Sequence, residues 1–280
     1  MPSIAESLTA VAALPGVPEA TAAARDACTR LRWHEALRRR IPQAAAESRV
    51  RGARASAALD GAQMSLDVVR DLMRGATAWP PEPDPLEQVL RGVVQATAET
   101  EHLTSLVVTA PAQALARLHT AAAAGLLPPD QVGRPRRAGE QARELADLGP
   151  APDGAEVAQR LAGIVALVLA ARDAPALVVA ALVHAEIAVV RPFVRGNAVV
   201  ARAMERLVVQ AGGLDPTGVA VPEAGHGRES GAAYLGALAA YAGGTPEGVA
   251  LWLTHCGEAV VAGAEEGGRI ADAVRAGRLG

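Results

Sequence analysis

Alanine and other apolar residues recur at helical spacing along almost the whole chain, while aromatic residues supply only 2% of its 280 positions. Alanine loses no side-chain entropy on entering a helix and has the highest helix propensity. The strand signal is weak throughout, and no internal repeat is present. We therefore expect an all-α fold with at most a small β-hairpin. A chain of this length buries one good core, or a main domain with an N-terminal extension.

Proline and glycine set the expected boundaries. Residues 18–49 read as helix, and 54–74 as two helical pieces separated at Gly61, with Ser65 as N-cap of the second. Residues 77–87 (TAWPPEPDPLE) carry four prolines, which a helix interior or central strand rejects. This linker divides an N-terminal helical arm, 1–76, from a core over 88–264, and 265–280 follow as a solvated tail. Within the core, helices are expected over 86–106, 111–125, 156–171, 175–190, 198–211, 229–242 and 246–263. Pro175 falls in a first turn, and Gly212-Gly213 close the helix over 198–211. The polar, Gly/Pro/Arg-rich stretch 131–154 reads as an exposed loop or short hairpin beside a pocket.

A formal charge of −3 lacks the basic excess of a nucleic-acid binder. Every basic residue other than histidine is arginine, so any cation placed in a pocket is a planar guanidinium. Cys28 and Cys256 are too few and too far apart for a metal site or a disulfide framework, and read as buried thiols. The N-terminus MPSIAESLTAVAALPG lacks a basic region ahead of its apolar stretch, which argues against a signal peptide. The apolar region 161–190 is broken by Arg172-Asp173 and Pro175, leaving no run of membrane-spanning length. The expectation is a cytoplasmic protein with no membrane or nucleic-acid partner.

The stretch 191–202 (RPFVRGNAVVAR) carries the chemistry. Pro192 restricts the chain, and Gly196-Asn197 is a turn pair followed at once by a helix. Backbone N–H groups and the helix dipole then converge where an anion binds. Arg191 and Arg195 lie in the loop and Arg202 one turn into the helix, so three guanidiniums would surround that spot. The plainer alternative is a loop–helix junction with solvated arginines.

This stretch resembles the signature of the Fic family, H-P-F-x-[D/E]-G-N-G-R-x-x-R. The likeness extends to His184-Ala185-Glu186 with Ile187 and Val190, to Leu118-His119 with Gly133-Arg134-Pro135-Arg136, and to Tyr234–Leu238 and Trp252, covering roughly 86–263. The resemblance implies a Fic-like helical core. It also implies transfer of AMP, or another phosphate-containing group, from a nucleotide to a protein hydroxyl. In that family the histidine is the base, the acidic residue holds Mg²⁺ and the glycines and arginines cradle phosphates. Here Arg191 stands at the base position, and a guanidinium cannot accept a proton. Arg195 stands at the carboxylate position, where a cation repels Mg²⁺. Ala198 and Val199 replace a glycine and the first arginine. Loss of a general base alone costs roughly 10²–10⁴ in rate.

The expectation is therefore a degenerate Fic-fold protein with no catalytic residue and no metal ligand. Arg191, Arg195, Gly196, Asn197 and Arg202 are its candidate anion- or nucleotide-binding residues. Ser56-Ala57-Ala58-Leu59-Asp60-Gly61 is similar to the family's inhibitory motif, [S/T]-x-x-x-E-[G/N], which implies a contact from Ser56 and Asp60 to Arg202. On spacing alone, Ser56 and Asp60 would only cap or end helices. His184 reads as a core histidine, and His119, His226 and His255 have no spacing that reads as a metal site. The partner expected is a phosphate-bearing or carboxylate small molecule, with room for a protein partner or a second copy. Two alternatives stay open: an active transferase using ATP and Mg²⁺, with His184 or Glu186 replacing the lost groups, and a helical scaffold.

Overall fold

The computed structural model describes residues 3–144, 148–172 and 174–279. Met1, Pro2, residues 145–147, Asp173 and Gly280, which enter the sequence reading in the N-terminal stretch, the 131–154 loop, the Arg172-Asp173 break and the tail, lie outside them. Thirteen α-helices and no strand occur among the described residues, as the alanine-rich pattern predicts.

Local chemistry places most helix starts. α1 (Ile4–Ala12) opens on a capping box between Ser3 and Glu6. The helical stretch expected over 18–49 is two helices, α2 (Val17–Arg32) and α3 (Leu37–Leu59), and α3 is itself kinked where Arg40 precedes Pro42 by two residues. Ser65 caps α4 (Leu66–Met73) by accepting from the Val68 N–H at 3.3 Å. After the non-helical 77–84, Pro85 takes the first position of α5 (Pro85–Glu99), where its missing N–H costs nothing.

The expected helix over 86–106 is likewise interrupted: a 3₁₀ turn at Thr100–His102 separates α5 from α6 (Thr104–Thr109). Then follow α7 (Pro111–Ala123), α8 (Gly154–Leu169), α9 (Ala176–Val190), α10 (Asn197–Ala211), α11 (Pro222–His226), α12 (Ala232–Ala242) and α13 (Pro246–Arg275). Pro175 sits just ahead of α9 as its N-cap.

The last helix overruns its expected end. Ile270, Ala271 and Val274 are buried, so 265–275 is not a solvated tail. Only its charged face meets water, with Glu265 paired to Arg228 and Glu266 to Arg51.

α9 is the axis of the core, with nearly every residue from Leu177 to Val190 buried. α10 packs along one side of it, and α13 runs past α2, α3, α9, α11 and α12. The N-terminal helices join the same core, since α2 lies along α13 and α3 crosses α5, α11 and α13. Small residues let the helices approach closely: a side chain at Gly92 would run into the Ala122 carbonyl on α7. Burying each leucine or isoleucine of such a core contributes about 1.5–3 kcal/mol. Cys28 and Cys256 are buried free thiols, and burial pushes Cys28 up to about 12. No helix among the described residues is long and apolar enough to cross a membrane.

Candidate functional site

The site is a loop folded back between α9 and α10. It begins at Arg191, a non-glycine residue in the left-handed region at φ +49°. That conformation costs roughly 1–2 kcal/mol, and Arg136 holds it. The buried Arg136 guanidinium donates to the carbonyls of Arg191 (2.6 Å), Val190 (3.2 Å), Pro152 (2.6 Å) and Glu140 (3.1 Å). Main-chain bonds add to the clamp, from Arg136 N–H to Pro192 O (2.8 Å) and from Arg143 N–H to Val194 O (2.7 Å).

Further along, Phe193 is buried and stacks on His119, with ring centres 3.9 Å apart. His119 Nδ1 accepts the Gly133 N–H at 3.0 Å, which leaves the proton on Nε2 to donate to the Arg195 carbonyl at 3.2 Å. Burial pulls this histidine down to about 4. Gly196 turns the chain at φ +82°, a region open to glycine without strain. Asn197 then closes the loop on itself: its Oδ1 accepts the Phe193 N–H (2.8 Å) and its Nδ2 donates to the Phe193 carbonyl (2.9 Å).

The anion position at the start of α10 is taken by the chain's own carboxylate. Glu144 Oε1 accepts both the backbone N–H of Asn197 (2.8 Å) and its Nδ2–H (2.6 Å). Burial raises the Glu144 carboxyl above the usual range, against the lowering effect of the Asn197 hydrogen bonds. Around it lies a cavity of about 330 Å³. Arg143, Arg191, Arg195 and Arg202 line it together with Asp60 and Glu144, and Leu59, Val89, Leu126 and Leu238 are among its apolar walls.

The three arginines do not share one role. Arg191 donates to the carbonyls of Gly149 (2.7 Å) and Val189 (3.3 Å). Arg195 lines the cavity and makes no ion pair among the described residues. Arg202, expected beside the anion, is turned to α3 instead. Its Nε donates to Ser56 Oγ (2.7 Å), and its Nη2 to Asp60 Oδ2 (2.6 Å) and the Ser56 carbonyl (3.2 Å). Although buried, Arg202 is held firmly protonated by Asp60 and Tyr234. The contact implied by the inhibitory-motif likeness is thus present, and Ser56 and Asp60 do more than end a helix.

His184 and Glu186 do not line the cavity. Glu186 is paired with Arg160 (2.8 Å) and accepts from Tyr241 Oη (2.8 Å). His184 is wholly buried between Glu205 Oε2 (2.6 Å) and Tyr234 Oη (3.0 Å). The same Glu205 oxygen meets His226 Nε2 at 2.8 Å. Histidines that sequence spacing kept apart therefore converge.

Sequence reasoning missed Glu144, Arg136, Glu205 and Gly149. Glu144, Arg136 and Gly149 had a signal, since all three lie in the 131–154 loop singled out beside the pocket, and Arg136 also falls within the Gly133–Arg136 likeness. Glu205 had none.

No family sequence model and no curated protein matches the chain by sequence. Solved structures do match. A Fic family protein from Desulfovibrio desulfuricans aligns with TM-score 0.69 at 18% identity, over 95% of this chain and 76% of its own. Fic-1 (residues 134–508) from C. elegans aligns with TM-score 0.67 at 18% identity, over 93% and 73%. A Fic domain-containing signaling protein from Bacteroides thetaiotaomicron aligns with TM-score 0.67 at 13% identity, over 90% and 98%. The chain has the Fic fold.

Proposed function

We infer that this Fic-fold protein lacks normal AMP-transfer activity and uses its cavity to bind a small anion, phosphate-bearing or carboxylate, at the start of α10. The observation that carries this reading is that Arg191 and Arg195 both line the cavity, at the positions where the likeness places a proton acceptor and a metal-binding carboxylate. A guanidinium stays protonated in a protein and offers no acceptor, so neither residue can take a hydroxyl proton. His184 and Glu186 are engaged elsewhere, which weighs against their standing in.

Mg²⁺ does not fit this arrangement. Arg195 presents positive charge where the metal would sit, and the two carboxylates that reach the cavity are committed, Asp60 to Arg202 and Glu144 to Asn197. An anion fits better. It would accept from the Asn197 backbone N–H at the positive end of α10, as Glu144 does now, and Arg195 stands beside it. The apolar walls leave room for an uncharged body next to the charged group.

Calorimetric titration with ATP, ADP and inorganic phosphate, each with and without Mg²⁺, tests the reading. Anion binding without dependence on Mg²⁺ is expected, with no protein labelled when labelled ATP is added to the chain and a cell lysate. Tight binding of ATP only with Mg²⁺, or transfer of label, would overturn it.

A further inference from the structure

Behind the cavity the interior holds a second cluster. His184 from α9, Glu205 from α10 and His226 at the end of α11 are all buried, and one ligand-type atom from each lies within 4.8 Å of the others. Nδ1 of His184 and Nε2 of His226 both point at Glu205 Oε2, at 2.6 and 2.8 Å. The other oxygen, Glu205 Oε1, is buried with no hydrogen-bond partner. A carboxylate oxygen left this way normally carries a desolvation penalty of about 1–3 kcal/mol or more.

We propose that His184, Glu205 and His226 form a buried zinc site. Two imidazoles and one carboxylate are a His₂Glu set of the donor types zinc takes, and the unpartnered Oε1 gives the carboxylate a second oxygen to turn towards the ion. Tetrahedral zinc bonds of about 2.0–2.2 Å would require the two nitrogens to draw back from Oε2 by about 0.5–0.9 Å.

The outward ring nitrogens each have a partner that fixes the orientation of the ring. His184 Nε2 lies 3.0 Å from Tyr234 Oη, and His226 Nδ1 lies 3.1 Å from His255 Nε2. Charge points the same way. Arg202 and Arg206 flank Glu205 on α10, but each is neutralised by its own acid, Asp60 at 2.6 Å and Glu223 at 2.8 Å. Glu205 itself has no arginine partner among the described residues, so a dication bound there meets a buried carboxylate. The metal would tie the five-residue α11 to α9 and α10, the two helices that frame the cavity.

The full chain, stripped with a chelator and dialysed, is titrated with Co²⁺ and separately with Zn²⁺, and bound zinc is measured by elemental analysis. Expected are about one zinc per chain, visible absorption bands of protein-bound Co²⁺ distinct from those of the free ion, and a higher Tm for the loaded protein. Glu205→Gln should lose the bands and the zinc, while His34→Ala, which removes the unrelated pair His34–Asp272, should keep both. Circular dichroism establishes that each variant is folded, and His226→Asn replaces Glu205→Gln should the latter fail. Folded wild-type protein that takes up no zinc and shows no cobalt bands overturns the site, as does a folded Glu205→Gln variant that binds like wild type.

Discussion

Glu144 and Asn197 meet through one carboxylate oxygen, which accepts the backbone N–H at 2.8 Å and the side-chain Nδ2–H at 2.6 Å. The first helical amide of α10 is therefore satisfied from within, by a residue 53 positions earlier in the chain. A carboxylate there gains the helix dipole as well as two hydrogen bonds. An incoming anion must displace it, so the site in this state is self-occupied.

Removing that competitor should strengthen anion binding. Glu144→Gln keeps the shape and drops the charge, and we expect sulfate to bind about tenfold tighter, equivalent to about 1.4 kcal/mol. The wild-type protein should show the same gain as pH falls. Burial has raised the Glu144 carboxyl, so it takes up a proton earlier than an ordinary glutamate and releases the amides, while sulfate keeps its charge. Titrations at a series of pH values check both points. Equal affinities for wild type and Glu144→Gln would show that Glu144 does not compete.

The Asp60–Arg202 pair should dominate the attachment of α3 to α10. Arg202 is almost fully buried, and Asp60 is its only charged hydrogen-bond partner among the described residues. Asp60→Asn leaves a buried guanidinium uncompensated, at a cost of about 3–5 kcal/mol. Ser56→Ala removes one hydrogen bond and should cost about 1 kcal/mol. Urea denaturation of the two variants measures the difference, and costs of similar size would argue that Arg202 finds its compensation elsewhere.

What the sequence made legible followed from local rules. Ser65 capping α4, Pro85 opening α5 and the Gly196-Asn197 turn depend on neighbours within a few residues, where φ preferences and capping leave little choice. The Asp60–Arg202 contact is long-range, and was legible only because the motif likeness paired those positions in advance. Glu144 and Arg136 sit in a loop without periodicity, and which charged loop residue turns inward depends on how that loop drapes over 192–194. The two breaks, between α2 and α3 and between α5 and α6, carry neither proline nor glycine. Short local bonds mark both breaks in the structure, from the Ala36 N–H to His34 Nδ1 and from Thr100 Oγ1 to the Thr97 carbonyl, and neither belongs to a Gly or Pro stop signal.

Arg136 should control the order of the 131–144 loop. Its guanidinium supplies four hydrogen bonds to carbonyls and fixes the left-handed turn at Arg191. Arg136→Met keeps most of the stem but none of the donors, and should lower stability by at least about 2 kcal/mol. Limited proteolysis gives the more specific readout: new early cleavage is expected within 131–144, well before the helices are cut. Cleavage spread evenly along the chain would point instead to general loss of stability.

His119 makes the acid stability of this loop predictable in sign. In the unfolded chain it has its ordinary value of 6.5, and in the fold burial lowers it to about 4. Between those values the unfolded chain takes up a proton that the native state refuses, because a protonated Nδ1 could no longer accept the Gly133 N–H. Stability therefore falls as pH drops through this window, with a slope approaching 1.4 kcal/mol per pH unit for this one group. His255, also lowered to about 4 by burial, contributes with the same sign. His119→Gln should be less stable than wild type at neutral pH, since it loses the stacking on Phe193. It should also lose less on acidification, so the two curves of Tm against pH converge towards pH 4. Parallel curves would mean that His119 takes up its proton equally in both states, and that its hydrogen bonds do not hold the loop.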